Sequence, residues 1–162
     1  MPILGLTNGL VPIVGNNFGA KNRKRITDTI KLAAVLASAI MGVGMVIFNV
    51  FPELLLVKLF EADAEMLSIG VPALRIISSH FIIAATAIVL SSSFQALGKG
   101  VYSLIMSFSR QLIVLLPVAW LLGKTISLNA LWFAFPIAEV VSLAMALLLF
   151  KRVYQREIKY LN

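Results

Sequence analysis

This sequence predicts an all-α integral membrane protein, a polytopic bundle of helices, on three observations. Apolar residues gather in four long stretches, residues 32–51, 69–94, 101–122 and 128–150, and none holds more than one Lys, Arg, Asp or Glu. At a rise of about 1.5 Å per residue, each is long enough for a hydrocarbon core of roughly 30 Å. The whole chain is 60% apolar with a mean hydropathy of +0.97, above the balance of a soluble domain. The third observation is the distribution of charge, which is one-sided across those stretches. The runs are continuous rather than alternating, and this excludes a β-barrel, whose strands alternate apolar-out and polar-in. There is no cysteine, so disulfides and thiolate metal sites are excluded.

A net charge of +7 in a soluble protein would point to nucleic acid, but placement assigns it to topology. Lys21, Arg23, Lys24, Arg25 and Lys31 precede the first full span, Lys99 lies between the second and third, and Lys151, Arg152, Arg156 and Lys159 follow the fourth. Spans that alternate in direction bring all ten to one side. The other side holds only Lys58, Arg75 and Lys124, with Glu53, Glu61, Asp63 and Glu65. Positive loops stay inside, so the basic side and the carboxy terminus are expected in the cytoplasm, in the cytoplasmic (inner) membrane. The basic residues are expected to meet lipid headgroups, not nucleic acid.

The elements follow in order. Residues 1–18 are apolar but short, and they carry Thr7, Asn8, Asn16, Asn17, three glycines and Pro12. They are read as a partial transmembrane helix, the end of one that begins in a longer chain, with no basic start or cleavage site of a signal peptide. Gly5-x-x-x-Gly9 and Gly15-x-x-x-Gly19 allow close helix approach. Residues 19–162 form a four-helix membrane domain with a basic cytoplasmic tail. Between its first two spans, residues 52–65 are amphipathic and predict a short helix in the outer interface, with Leu54, Leu55, Leu59 and Phe60 on one side. Gln95 to Gly100 supplies a glycine turn, with Gln95 expected to hold a helix end. Trp120 and Trp132 sit at interfacial depth on either side of the last outer connection.

Ionisable groups inside a membrane are expensive, so they mark function or a structural pair. His80, Arg110 and Glu139 all fall near the midplane of their spans, and shared depth allows Arg110 to pair with Glu139. One reading is a proton or cation relay in a hydrated cavity; the other is an ion pair that pins the third span to the fourth. A single His80 with no second ligand does not make a metal site. Pro72, Pro117 and Pro136 each remove a backbone donor and free a carbonyl four residues earlier, Ile113 for Pro117 and Trp132 for Pro136, so bends are expected there. Ser78, Ser79, Thr86 and Ser91-Ser92-Ser93 make the second span the most polar, suited to a cavity or tight packing. No base-activated serine, paired carboxylate or phosphate loop is present, so the chain is not expected to be an enzyme.

The series of motifs resembles one family along essentially the whole chain. Residues 1–25, MPILGLTNGLVPIVGNNFGAKNRKR, resemble the end of the eighth helix and the next cytoplasmic loop of MATE (multidrug and toxic compound extrusion) transporters. Phe51-Pro52-Glu53 through Leu59-Phe60-Glu61-Ala62-Asp63 resembles the segment after the ninth helix, and Leu74-Arg75-Ile76 the start of the tenth. Ser93 to Lys99, Ser107-Phe108-Ser109-Arg110-Gln111 and Leu116-Pro117 are similar to the tenth-to-eleventh turn and the eleventh helix. Leu131 to Glu139 is similar to the twelfth.

The resemblance implies part of the carboxy-terminal six-helix lobe of a twelve-helix antiporter that exports organic cations in exchange for sodium ions or protons. Its implied partners are membrane lipid, a cationic drug-like substrate and an amino-terminal lobe. It implies no bound cofactor beyond the coupling ion. The first-helix carboxylate of many members has no counterpart here, and the tenth-helix acidic residue of others is absent from residues 69–94. Alternating access needs two bodies, so the chain alone is not expected to transport. Candidate coupling residues are His80, Arg110 and Glu139; candidate cavity or helix-end residues are Asn8 and Gln95. The alternatives are a small membrane subunit or assembly protein, and part of a related lipid-linked sugar flippase.

Overall fold

A computed structural model describes residues 2–126 and 128–161, and these residues are helical almost throughout. The helices are α1 (Pro2–Gly19), α2 (Arg23–Val50), α3 (Pro52–Phe60), α4 (Ala64–Ser78), α5 (Phe81–Ala96), α6 (Gly100–Thr125) and α7 (Asn129–Ile158). By length and composition α2, α6 and α7 can each cross a membrane, and α4 with α5 makes a fourth span bent by 52°. α1, with its asparagines and glycines, is not among them.

α2 begins nine residues before its apolar run. Asn22 caps it by accepting from the Arg25 N–H at 3.1 Å, satisfying a donor that the first turn leaves free. Its 28 residues are longer than the hydrocarbon requires, so Arg23, Lys24 and Arg25 extend into the headgroup region. The turn before it closes with Asn22 N–H on the Asn17 carbonyl at 2.9 Å and Lys21 at φ 56°. Glycine usually occupies that left-handed position. Gly98, at φ 72°, does so in the turn between α5 and α6.

The second span, expected over residues 69–94 with a bend at Pro72, differs in both its start and its bend. It starts at Ala64, with Asp63 accepting from the Met66 N–H at 2.8 Å, and it breaks at Ser79–His80 rather than at Pro72. Pro72 lies inside α4 without ending it. The break has a local cause: the Ser78 and Ser79 hydroxyls donate back to the Arg75 and Ile76 carbonyls at 3.2 and 2.6 Å, competing with the helical ladder. Ser79 N–H also turns to Ile76, at 3.3 Å, which tightens the last turn. Asn49 on α2 then donates to Ser78 Oγ at 2.8 Å and holds the bend against its neighbour.

A short helix, α3, forms within residues 52–65 but ends at Phe60, closed by Glu61 at φ 51°, and Glu65 belongs to α4. Leu54, Leu59 and Phe60 are exposed, while Leu56 is buried against Gly70 of α4. α5 lies at the centre, packed on α1, α2 and α7. Its buried face carries Ala84, Ala85, Val89, Leu90 and Phe94, and facing alanines, Ala33 and Ala37 on α2 and Ala146 on α7, let the helices approach closely. The serine-rich span is thus the best packed one. Gly15 of α1 lies where a Cβ would sit 3.3 Å from the Ala96 carbonyl, whereas Gly5 and Gly9 face open space.

The outer surface is apolar, with Leu32, Val35, Val43, Leu104 and Leu148 all well exposed, as a lipid-facing surface requires. At the basic end, the tail of α7 packs back onto the bundle through Val153 and Ile158. Arg23 donates to the Tyr154 hydroxyl at 2.6 Å, and Lys99 meets Glu157 at 2.8 Å. Glu157 holds the Lys99 ammonium above the ordinary lysine range by hydrogen bond and charge.

Candidate intramembrane polar site

Two prolines prepare the site. Pro117 cannot donate to Ile113, and the chain before it opens into a wide-turn segment over Ser109–Leu115, which ends with Leu116 N–H on the Gln111 carbonyl. Arg110 sits in that segment. Pro136 cannot donate to Trp132, whose carbonyl instead accepts the Phe135 N–H at 3.3 Å, a tighter turn at the start of α7. Glu139 follows one turn later, on a face of small residues, Ala134, Ala138 and Ser142, all buried.

Arg110 and Glu139 meet. Nη1 of Arg110 donates to both carboxylate oxygens, at 2.9 and 3.3 Å, and makes no other hydrogen bond among the described residues. The side chains differ in exposure: 5% for Glu139 and 30% for Arg110. The carboxylate is thus sequestered while the guanidinium reaches open space. A buried pair of this kind gains Coulomb energy at low dielectric but must first lose its water, so its net worth is small while its disruption is costly.

His80 lies at the break between α4 and α5. It lines a cleft of about 240 Å³ together with Arg110, Gln111, Phe135 and Glu139. Its Nδ1 is buried with no hydrogen-bond partner among the described residues, and its ring stands edge-on to Phe81 at 5.8 Å. The three ionisable residues singled out from depth alone therefore border one cleft. They come from the α4–α5 junction, α6 and α7.

Gln95 sits in the last turn of α5, where its carbonyl accepts the Gly98 N–H at 3.0 Å, and its side chain does more than close that end. Its Nε2 donates across to Ser103 Oγ on α6 at 3.0 Å, and Ser103 also shares a 2.6 Å hydrogen bond with Ser91. The short turn at Gly98 brings the two helices close enough for this bridge. These groups line a second cleft of about 200 Å³ with Ser92, Ser107, Ser142 and, again, Arg110. Asn8 lies on the exposed face of α1 and borders neither cleft. No three His, Cys, Asp or Glu residues are grouped to hold a metal ion among the described residues.

Sequence reasoning missed Ser103, Ser142, Gln111 and Phe135 as cleft residues. The signal was present: Ser103, Ser107 and Arg110 recur at helical spacing, and Ser142 follows Glu139 by three. What was lacking was the local winding that decides which face they share.

Comparison with known proteins places this geometry. The MatE family model matches residues 1–121. The multidrug export protein MepA of Staphylococcus haemolyticus is 28% identical over 145 residues, which cover 90% of this chain and 31% of that protein. MepA of Staphylococcus aureus is 26% identical over 148 residues, 91% of this chain and 32% of that protein. Among solved structures, an inward-facing conformation of a multidrug resistance MATE family transporter of the MOP superfamily superposes with a TM-score of 0.89 at 21% identity. It covers 98% of this chain and 37% of that one. The Vibrio cholerae MATE transporter VcmN in its bent form matches at 0.89 and 21%, over 99% of this chain and 36% of its own. The chain thus spans about a third of the length of the curated relatives it matches.

Proposed function

This chain belongs to the MATE family, and from that premise we propose that it is the carboxy-terminal part of a multidrug efflux antiporter. The whole transporter moves an organic cation outward while a sodium ion or proton moves inward. It lies in the cytoplasmic membrane with the carboxy terminus and the basic turns inside. Its partners are lipid, the substrate and an amino-terminal lobe. It is a carrier, not an enzyme, and holds no cofactor apart from the coupling ion. The family match over most of the chain, the multidrug export relatives and the one-sided cations support this reading.

One observation carries the site's role: the Arg110–Glu139 pair opens onto a cleft shared with His80 instead of being sealed inside the bundle. A carboxylate there is a place where cations compete, and ion binding then shifts the balance of inward and outward states. The test is efflux of a cationic dye from cells that express the intact transporter. Glu139→Gln is expected to lower efflux more than it lowers protein abundance; equal losses would make the pair structural.

The second reading, a membrane subunit that works through a partner, is favoured by the apolar groove along Gly5, Gly9, Leu32 and Leu36, which no described helix fills. Drug efflux lost on removal of the amino-terminal lobe but retained on its separate co-expression supports the antiporter. A flippase for anionic lipid-linked sugars is less suited, because the Arg110 charge is already balanced by Glu139.

A further inference from the structure

Arg110 stands between two clefts that offer a cation different company. On one side are the Glu139 carboxylate and His80. On the other are hydroxyls, among them Ser92, Ser103 and Ser107, and the Gln95 amide. Neither cleft is lined by a second carboxylate. The Glu139 side chain is 5% exposed, beside buried Ala134, Ala138 and Ser142, whereas the Arg110 side chain is 30% exposed, lines both clefts and holds on through Nη1 alone. If the two part, the arginine is the member with somewhere to go.

We infer that Arg110 is a switching counter-ion: when a proton or another monovalent cation takes Glu139, the guanidinium leaves the carboxylate for the hydroxyl cleft. This rests on the reading of Glu139 as the cation site of an antiporter. One buried carboxylate balances one charge, and a guanidinium without its anion needs oxygen acceptors to replace it. The hydroxyl cleft has them. Gln95 uses its Nε2 on Ser103, which leaves its amide oxygen as an acceptor, and the serine oxygens add more. About 200 Å³ has room for roughly six waters at about 30 Å³ each, more than a guanidinium displaces. The cleft lies towards the α5–α6 turn, on the basic side. There the released charge repels a second cation, so the protein admits one positive charge at a time, as exchange requires.

This chain has no cysteine, so it adds no thiol of its own beside a single reporter, and any cysteine elsewhere in the full-length protein is first replaced by serine. Ser92→Cys reports the hydroxyl cleft and Gln111→Cys the Glu139 cleft, in the full-length membrane-embedded protein. Each is modified with a cationic and an anionic methanethiosulfonate reagent. Both attack the same thiolate, so the ratio of their rates is independent of its ionised fraction. With Glu139→Gln, the ratio at position 92 is expected to move about tenfold towards the anionic reagent, as a unit charge brought nearby demands, with little change at 111. An unchanged ratio at 92 overturns the switch. So does an equal or larger shift at 111, which is what loss of the Glu139 field alone produces.

A second measurement needs no change at Glu139. The groups facing it are Arg110 from α6 and His80 from the α4–α5 junction; α5 brings no charged side chain, and α7 brings none besides Glu139 to either cleft. In a His80→Gln background, acidification or a high sodium concentration is expected to reproduce the shift at 92, and its absence under both overturns the switch. The labelling reads the arginine's position whether or not drug moves. A shift without Glu139-dependent efflux therefore overturns the antiporter reading, and Glu139-dependent efflux without a shift overturns the switch.

Discussion

Removing either member of the Arg110–Glu139 pair is predicted to have unequal consequences, and the inequality follows from exposure. Arg110→Met leaves a carboxylate that is 5% exposed among alanines, with no cation within hydrogen-bond reach. Breaking a buried pair in this way costs about 3–5 kcal/mol, limited by protonation of the orphaned acid. Glu139→Leu leaves an arginine whose side chain is 30% exposed and borders a cleft of hydroxyls, so water and serines replace much of what it lost. A partly hydrated charge is screened, and the expected cost is about 1–2 kcal/mol. The double variant removes both charges and both desolvation terms, and it is expected within about 1 kcal/mol of the parent. The coupling energy from the cycle, the two single costs together less that of the double variant, is then about 3–8 kcal/mol. The assay is reversible unfolding in a bilayer mimic, followed by Trp120 and Trp132 fluorescence. A coupling below about 0.5 kcal/mol would refute the argument, because the pair would then be no stronger than an exposed one. A Glu139→Leu variant less stable than Arg110→Met would refute the assignment of which charge is sequestered.

Three further predictions concern the scaffold. At Gly70, an added Cβ would lie 2.9 Å from Leu56 Cδ1, so Gly70→Val is expected to displace α3 and destabilise by about 1–3 kcal/mol, and Leu56→Ala in the same chain should recover part of that loss. If Gly70→Val is neutral, the α3–α4 contact is not a packed one. Lys21→Gly relieves a non-glycine residue at φ 56° and should stabilise the α1–α2 turn by about 0.5–1 kcal/mol, read as a rise in Tm; a fall would contradict the left-handed assignment. The Lys99 pKa is raised by Glu157, so its contribution to tail docking is full below the ordinary lysine value of 10.5 and is lost only as pH rises through the higher folded value. A nitroxide at position 161, where Leu161 packs against the core, is expected to stay immobilised up to that range and to gain mobility above it; mobilisation already near pH 9 would contradict the contact.

Much of this protein follows from local sequence because lipid imposes a severe rule: every backbone group must be satisfied within its own helix. Span number, sidedness and depth along each helix are sums over consecutive residues, so apolar run length and cation placement convey them without any tertiary information. The same arithmetic places His80, Arg110 and Glu139 near one depth. Where each helix begins and bends is a different matter. Three prolines invite three bends, yet the sharpest one falls at Ser79–His80, because two serine hydroxyls compete for carbonyls and Asn49 of another helix holds the result. Gln95 is legible as a helix-end residue in one dimension, but its bridge to α6 is not, since its partner Ser103 approaches only after Gly98 reverses the chain.

The sequence by itself determined an all-helical membrane bundle and singled out the few ionisable groups within its apolar runs, because those depend on what each segment would lose by leaving or entering lipid. Only the tertiary structure decided that Glu139 is enclosed while Arg110 faces two clefts, and that His80 borders the same space. Those outcomes depend on the rotation of each helix about its own axis. The wide turn before Pro117 and the tight one before Pro136 set that rotation, and neither has a period that can be counted along the chain.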